Sequence, residues 1–117
     1  MSGGTRRRRA DAIIREVVAQ TVRTGLSDPR LGPVTITDVS ATADLREATV
    51  RFTTLDAEDR DSAADALEAA RGVLQARIGE ALSSRHTPQL RFVFDDHHDR
   101  AEALTRLIDE LAPPEDA

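Results

Sequence analysis

Apolar residues recur in this chain with two different periods, and the order of the periods leaves few architectures open. Ala10, Ile13, Ile14, Val17, Val18, Thr21 and Val22 follow the i, i+3, i+4, i+7 rule of an amphipathic helix. The period then falls to two. Val34 to Ser40 is rich in β-branched residues and reads as a strand. Val34 and Ile36 share one face of it, but Val39 takes the other parity, so a bulge is expected near Asp38. After a turn at Ala43-Asp44-Leu45, Ala48, Val50 and Phe52 alternate with Thr49, Arg51 and Thr53, completing a hairpin. Helical spacing returns with Leu67, Ala70, Leu74, Ile78 and Leu82, up to about Ser83. Gly72 interrupts this stretch and Gly79 sits farther along; a helical glycine costs about 1 kcal/mol relative to alanine, so Gly72 is read as a bend. Beyond a break at residues 84–88, Leu90, Phe92 and Phe94 make a third strand. Asp99-x-x-Glu102 has the form of a capping box, and Ala103, Leu104, Leu107, Ile108 and Leu111 form a last helix. The order helix, strand, strand, broken helix, strand, helix implies an α+β domain with helices packed on one face of a three-stranded sheet.

Local signals refine this outline. Gly25 is placed to end the first helix at C′. Asp11 and Arg15 are four apart and suited to pair on its solvent face. Asp56 or Asp59 is suited to cap the helix after the hairpin. Residues 27–33 are a turn-rich connector, within which no apolar neighbour explains Arg30. The expected partition is a flexible basic leader over 1–9, one domain over 10–111 and an acidic tail over 112–117.

With 117 residues, one domain is expected. There is no cysteine, so disulfides, thiolate metal sites and cysteine nucleophiles are excluded. No apolar run approaches the roughly 18 residues of a membrane span, and no signal-peptide pattern follows Met1, so a soluble cytoplasmic protein is expected. The net charge of −5 argues against a polyanionic partner, but its distribution does not. Residues 1–40 carry seven arginines against four acids, and the remainder carries nine against seventeen. Charges more than about 8–10 Å apart are screened at cellular salt, so an acidic protein can present a basic surface. All sixteen basic residues are arginine, the side chain best suited to bidentate phosphate contacts. With only three Phe as aromatics, a base-stacking platform is not expected.

Two stretches carry a family resemblance. Asp28-Pro29-Arg30-Leu31-Gly32-Pro33-Val34-Thr35-Ile36-Thr37-Asp38-Val39, followed by Asp44-Leu45-Arg46-Glu47-Ala48-Thr49-Val50, resembles the signature of ribosome-binding factor A. Arg85-His86-Thr87-Pro88-Gln89-Leu90-Arg91-Phe92 resembles the R-x-x-P-x-L-x-F stretch of that family. The resemblance covers residues 6–111 and implies a type II KH-like domain. An ordinary KH domain clamps nucleotides with a GxxG loop; here Ala70-Arg71-Gly72 resembles the family's AxG element, which kinks the helix pair instead. The resemblance implies a monomeric, non-catalytic factor that binds the immature small ribosomal subunit and its 16S rRNA precursor. It also implies an association with cold adaptation and with 5′-end maturation of that rRNA.

The candidate RNA-binding residues are Arg6, Arg7, Arg8, Arg9, Arg30, Ala70, Arg71, Gly72, Arg77, Arg85 and Arg91. Cations are unfavourable at a helix N-terminus, so Arg6 to Arg9 read either as a solvated leader or as a phosphate-neutralising arm. Arg51 and Arg91 fall on the non-core parity of their strands. Singly each arginine reads as solvated surface; together, around a kink, they form a phosphate-tracking groove. Charge reversal at Arg71 and Arg77 is expected to impair binding and leave the fold intact. Asp95-Asp96-His97-His98-Asp99 is the tempting metal cluster, but consecutive residues point in different directions and seldom close one coordination sphere. No catalytic residue, metal, cofactor, small-molecule substrate or membrane partner is expected. The alternatives are a KH-like protein-interaction module with a basic partner and a metal-dependent hydrolase built on Asp95 to Asp99.

Overall fold

The structure is a computed structural model and describes residues 2–83, 85–96, 105, 107 and 108. Helix α1 (Ser2–Gln20) buries the expected stripe, with Ile14 and Val18 fully enclosed and Ala10 nearly so. It starts well before that stripe. Residues 4–9 are helical and all exposed, so this part of the stretch read as a leader continues α1 and adds no buried side chain. The helix ends by widening rather than by a left-handed glycine. Thr21–Gly25 is a π-turn, Gly25 is its last residue, and the chain leaves through extended Leu26 (φ −129°, ψ 137°). Two threonines make polar contacts at this turn. Thr24 Oγ1 donates to Gln20 O (2.8 Å), competing with the backbone ladder. Thr21 is buried and its hydroxyl accepts from Arg77 (3.1 Å).

The connector contains a short 3₁₀ turn, Pro29–Leu31, capped by the Asp28 carboxylate and anchored by buried Leu31. Strand β1 (Val34–Ala41) then pairs antiparallel with β2 (Glu47–Thr54). Ile36 faces Phe52 while Asp38 faces Arg51, so Thr37 is the extra residue of a bulge. That bulge is what brings Ile36, Val39 and Ala41 onto one buried face, as their conflicting parity required. In the hairpin turn Leu45 takes a positive φ of 59°, and burying its side chain offsets the strain.

A 3₁₀ turn (Ala57–Asp59) leads into α2 (Arg60–Ala69). Neither Asp56 nor Asp59 caps it through its side chain, contrary to the sequence expectation. Asp59 is already in helical conformation (φ −83°, ψ −6°), whereas a capping side chain acts from extended backbone. Helix α3 (Arg71–Leu82) follows at once and ends at left-handed Ser83 (φ 51°). Strand β3 (Gln89–Phe94) lies parallel to β2, giving the order β1-β2-β3.

The three helices cover one face of this sheet. Phe52, Val50 and Leu90 from the sheet meet Ile14 and Val18 of α1, Leu67 of α2 and Leu74 and Ile78 of α3, each at most 1% exposed. Phe52 and Phe94 meet edge to face, 5.6 Å between centroids. The opposite face, with Thr35, Asp38, Ser40, Arg51 and Arg91, is exposed. The α+β reading thus holds. Of the last helix, residues 105, 107 and 108 are helical; the capping box and the rest of it lie outside the described residues.

Candidate nucleic-acid interface

The break between α2 and α3 is at Ala70 (φ −85°, ψ −4°), which closes one helix and opens the next. Its N–H donates to the carbonyls of Ala66 (3.0 Å) and Leu67 (3.1 Å), and its own carbonyl accepts from Leu74 N–H (3.0 Å). A side chain at residue 70 points into the core, which explains a small residue there. Gly72 is different: it is exposed, and a Cβ added to it would meet nothing within 4 Å. The kink is therefore set by Ala70 and its packing, and Gly72 leaves the outer surface bare. Ala69 and Val73 extend that surface, Val73 being 42% exposed. An open groove of about 420 Å³ lies between this helix pair and the connector, with Leu26, Pro29, Ala66, Ala69, Ala70 and Val73 among its walls.

The candidate arginines divide sharply by what their guanidinium groups touch. Arg71 is built into the fold. Its Nε and one terminal nitrogen chelate the Glu68 carboxylate (3.0 and 2.9 Å). The other terminal nitrogen donates to the carbonyl of Leu90, on the free edge of β3, and to Gln75 Oε1 (3.4 Å). The group also sits 5.3 Å from the Phe92 ring centroid. Charge reversal at Arg71 would remove these internal contacts and is therefore expected to cost stability. Arg30 is exposed, but its fork is filled by the Asp28 carboxylate, with contacts of 2.6 to 3.1 Å. That pairing, chiefly the side-chain hydrogen bond, lowers the Asp28 pKa and raises that of Arg30. Arg77 remains exposed while donating to Thr21 Oγ1.

Others have no such claim on them. Arg85 and Arg91 are exposed and, among the described residues, make no hydrogen bond or ion pair. Arg91 lies opposite Thr49, and Arg51 lies opposite Val93, so the two are diagonal neighbours on the open sheet face. Arg6 to Arg9 are equally unclaimed among the described residues. Arg6 and Arg9, three apart on α1, share a groove of about 140 Å³ with Ile13, Leu45, Leu82 and Ser83. Leu82 and Ser83 are the C-terminal end of α3, whose dipole favours a cation there. The structure thus distributes the candidates over the kink, the open sheet face and the start of α1 rather than gathering them in one groove.

Sequence reasoning missed Arg15 and Arg23. Asp11, expected to pair with Arg15, instead accepts a 2.7 Å hydrogen bond from the backbone N–H of Ala41. Arg15 and Arg23 are exposed and unpaired among the described residues, and both line a groove against β1. No local signal marks them, because Asp11 takes its partner thirty residues away.

Asp95, at the end of β3, accepts from Thr37 Oγ1 (2.7 Å), a contact that spans β2. His97, His98 and Asp99 lie outside the described residues. Among the described residues no group of three or more His, Cys, Asp or Glu side chains is placed to hold a metal ion.

The family model described as Ribosome-binding factor A matches residues 6–108. The chain belongs to the ribosome-binding factor A family. Ribosome-binding factor A of Salinispora tropica is 47% identical over 109 residues, covering 92% of this chain and 70% of the relative. That of Halorhodospira halophila is 40% identical, covering 93% and 88%. The crystal structure of ribosome-binding factor A from Thermus thermophilus superposes with a TM-score of 0.65 at 25% identity, covering 74% of this chain and 93% of that one. A homology model of the Thermus thermophilus protein, fitted into a cryo-EM map of a 30S–RbfA complex, gives a TM-score of 0.61 at 26% identity, covering 74% and 91%. The family assignment agrees with the resemblance carried by residues 28–50 and 85–92.

Proposed function

We propose that this protein is a monomeric, cytoplasmic assembly factor that binds the immature small ribosomal subunit through its 16S rRNA and assists maturation of that RNA without catalysing a reaction. The observation that carries the reading is the set of exposed arginines that make no internal contact among the described residues, Arg51, Arg85 and Arg91 with Arg6 to Arg9, on the open sheet face, after α3 and at the start of α1, together with a kinked helix pair whose outer surface is bare at Gly72. Guanidinium groups without internal partners are free to take phosphate oxygens, and a surface without side chains lets an RNA backbone come close. Family membership and the 30S complex of a Thermus thermophilus relative support the same reading. A factor of this kind acts through differential affinity: it favours one rRNA conformation and leaves when the mature one forms.

The test is co-sedimentation with small-subunit assembly intermediates across a salt series. Binding is expected to fall steeply with salt, by roughly 0.7–0.9 in log–log slope for each phosphate neutralised. The double variant Arg51→Glu/Arg91→Glu should weaken it while leaving thermal unfolding unchanged. Undiminished binding of that variant at every salt concentration overturns the assignment of the open sheet face.

One feature favours a second reading, a protein-interaction module with a basic partner. Leu55 is 86% exposed and opens a stretch containing Asp56, Glu58, Asp59, Asp61 and Asp65. Salt-sensitive capture of a basic protein from nuclease-treated extract, independent of RNA, decides for it.

A further inference from the structure

We propose that the groove between α1 and the free edge of β1 is a second RNA-contact surface, in which Arg15 and Arg23 hold backbone phosphates of the RNA strand. The inference rests on the RNA-binding reading above and adds to it a site remote in sequence from the kink and from β3. The groove has a volume of about 410 Å³. Its helical wall is a stripe of Arg15, Ala19, Val22 and Arg23, and its other wall is the start of β1 with Val34 and Ile36.

Three observations point to a polyanionic strand. Among the described residues no carboxylate lines the groove, and its two charged side chains are both arginines. Neither makes a hydrogen bond or ion pair among the described residues, and Asp11, the local acid suited to Arg15, is held by Ala41. The strand edge also offers donors. Leu55 N–H donates to Pro33 O, which makes that pair a hydrogen-bonded one in the antiparallel ladder. The pairs Val34/Thr54 and Ile36/Phe52 then fall at the alternate positions, so the N–H groups of Val34 and Ile36 face away from β2.

The spacing suits a strand. Arg15 and Arg23 are eight residues apart, roughly 12 Å along the helix axis at 1.5 Å per residue. In a regular helix eight residues would rotate the second side chain by about 80° from the first. The π-turn at Thr21–Gly25 takes more residues per turn and restores Arg23 to the face of Arg15. Two guanidinium groups at that spacing can each take a different phosphate of a phosphodiester chain laid along the groove.

The test compares full-length wild type, Arg15→Gln/Arg23→Gln and Arg51→Glu/Arg91→Glu, each checked by circular dichroism. Two probes are used: small-subunit assembly intermediates and a fluorescein-labelled uridine dodecamer. Loss of two phosphate contacts should reduce the salt slope on the dodecamer by about 1.4 for the Arg15→Gln/Arg23→Gln variant. Affinity for the intermediates at low salt should fall about tenfold, in line with two lost counterion-releasing contacts. An unchanged slope and affinity in this variant, with binding lost in Arg51→Glu/Arg91→Glu, overturns the groove and leaves the RNA-binding reading standing. No binding of either probe by the wild type overturns both. Competition by polyglutamate but not by the dodecamer for the groove, followed by chemical shifts of Val34 to Ile36, assigns it to an acidic peptide added at the β1 edge and overturns the RNA assignment.

Discussion

Asp11, on the first helix, accepts a 2.7 Å hydrogen bond from the backbone N–H of Ala41, on the outer edge of the sheet. Edge strands expose unpaired N–H and C=O groups and invite pairing with other chains. Here each edge is partly occupied by a charged side chain from a helix: Asp11 on β1 and Arg71, through the Leu90 carbonyl, on β3. Asp11→Ala strands the Ala41 N–H in a half-buried position and should lower unfolding free energy by about 1–2 kcal/mol, measured by urea denaturation. Asp11→Asn keeps an acceptor and should recover most of the loss. A variant Asp11→Ala as stable as wild type would show that water replaces the carboxylate at no cost.

Arg71 and Arg91 should separate stability from binding. Reversing the charge at Arg71 breaks its chelation of Glu68 and the bond to Leu90 O, and places two carboxylates together at the kink. Its side chain is 30% exposed, which screens part of the effect, so a loss of about 1–3 kcal/mol is expected in Arg71→Glu. Arg91 touches no internal partner among the described residues, and Arg91→Glu should stay within about 0.5 kcal/mol of wild type. Thermal melts of the two variants beside their affinities for small-subunit intermediates give the comparison. Weakened binding by Arg71→Glu at matched folded fraction would show that Arg71 also contacts RNA.

The features legible in the sequence are those decided by near neighbours. The parity conflict between Ile36 and Val39 located the bulge within one residue, because strand side chains alternate strictly. The apolar spacing of Leu67, Ala70, Leu74 and Ile78 marked both core helices, and the Ala70-Arg71-Gly72 element marked the kink. What stayed hidden depends on contacts distant in the chain. Asp11 meets Ala41, Arg71 meets Leu90, Thr37 meets Asp95 and Arg77 meets Thr21. These contacts decide which charged groups the fold holds and which it leaves exposed. The arginines were therefore visible as a set, while the division between those the fold holds and those it leaves free was not. The caps assigned to Asp56 and Asp59 failed for a related reason: a 3₁₀ turn precedes α2 and puts Asp59 in helical conformation before its side chain can fold back.

The connector should respond to acid in a defined direction. The Arg30 side chain and backbone hold the Asp28 carboxyl below its ordinary value of 3.8. A depressed folded pKa means that the associated stabilisation is present above the unfolded value and is lost as pH falls through the folded one. A carboxyl-carbon NMR titration should therefore place the Asp28 midpoint below 3.8, and Arg30→Ala should move it upward. A midpoint at or above 3.8 in the wild type would mean that the Asp28–Arg30 fork is not populated in solution.

Two glycines in the same helix should respond oppositely to alanine. At Gly72 a new Cβ meets nothing within 4 Å, and the residue has no left-handed φ. Gly72→Ala should therefore gain helix propensity, raising stability by up to about 1 kcal/mol. If the bare surface receives RNA, the same change should weaken binding to small-subunit intermediates. At Gly79 a Cβ would stand 2.7 Å from Thr87 Oγ1, a contact that forces the Thr87 side chain to move. Gly79→Ala should cost about 1–3 kcal/mol as overpacking. Adding Thr87→Ala removes the obstructing hydroxyl and should restore much of that loss, an interaction measurable by a double-mutant cycle. Additive effects at 79 and 87 would show that the helix and the following segment are not in this close contact.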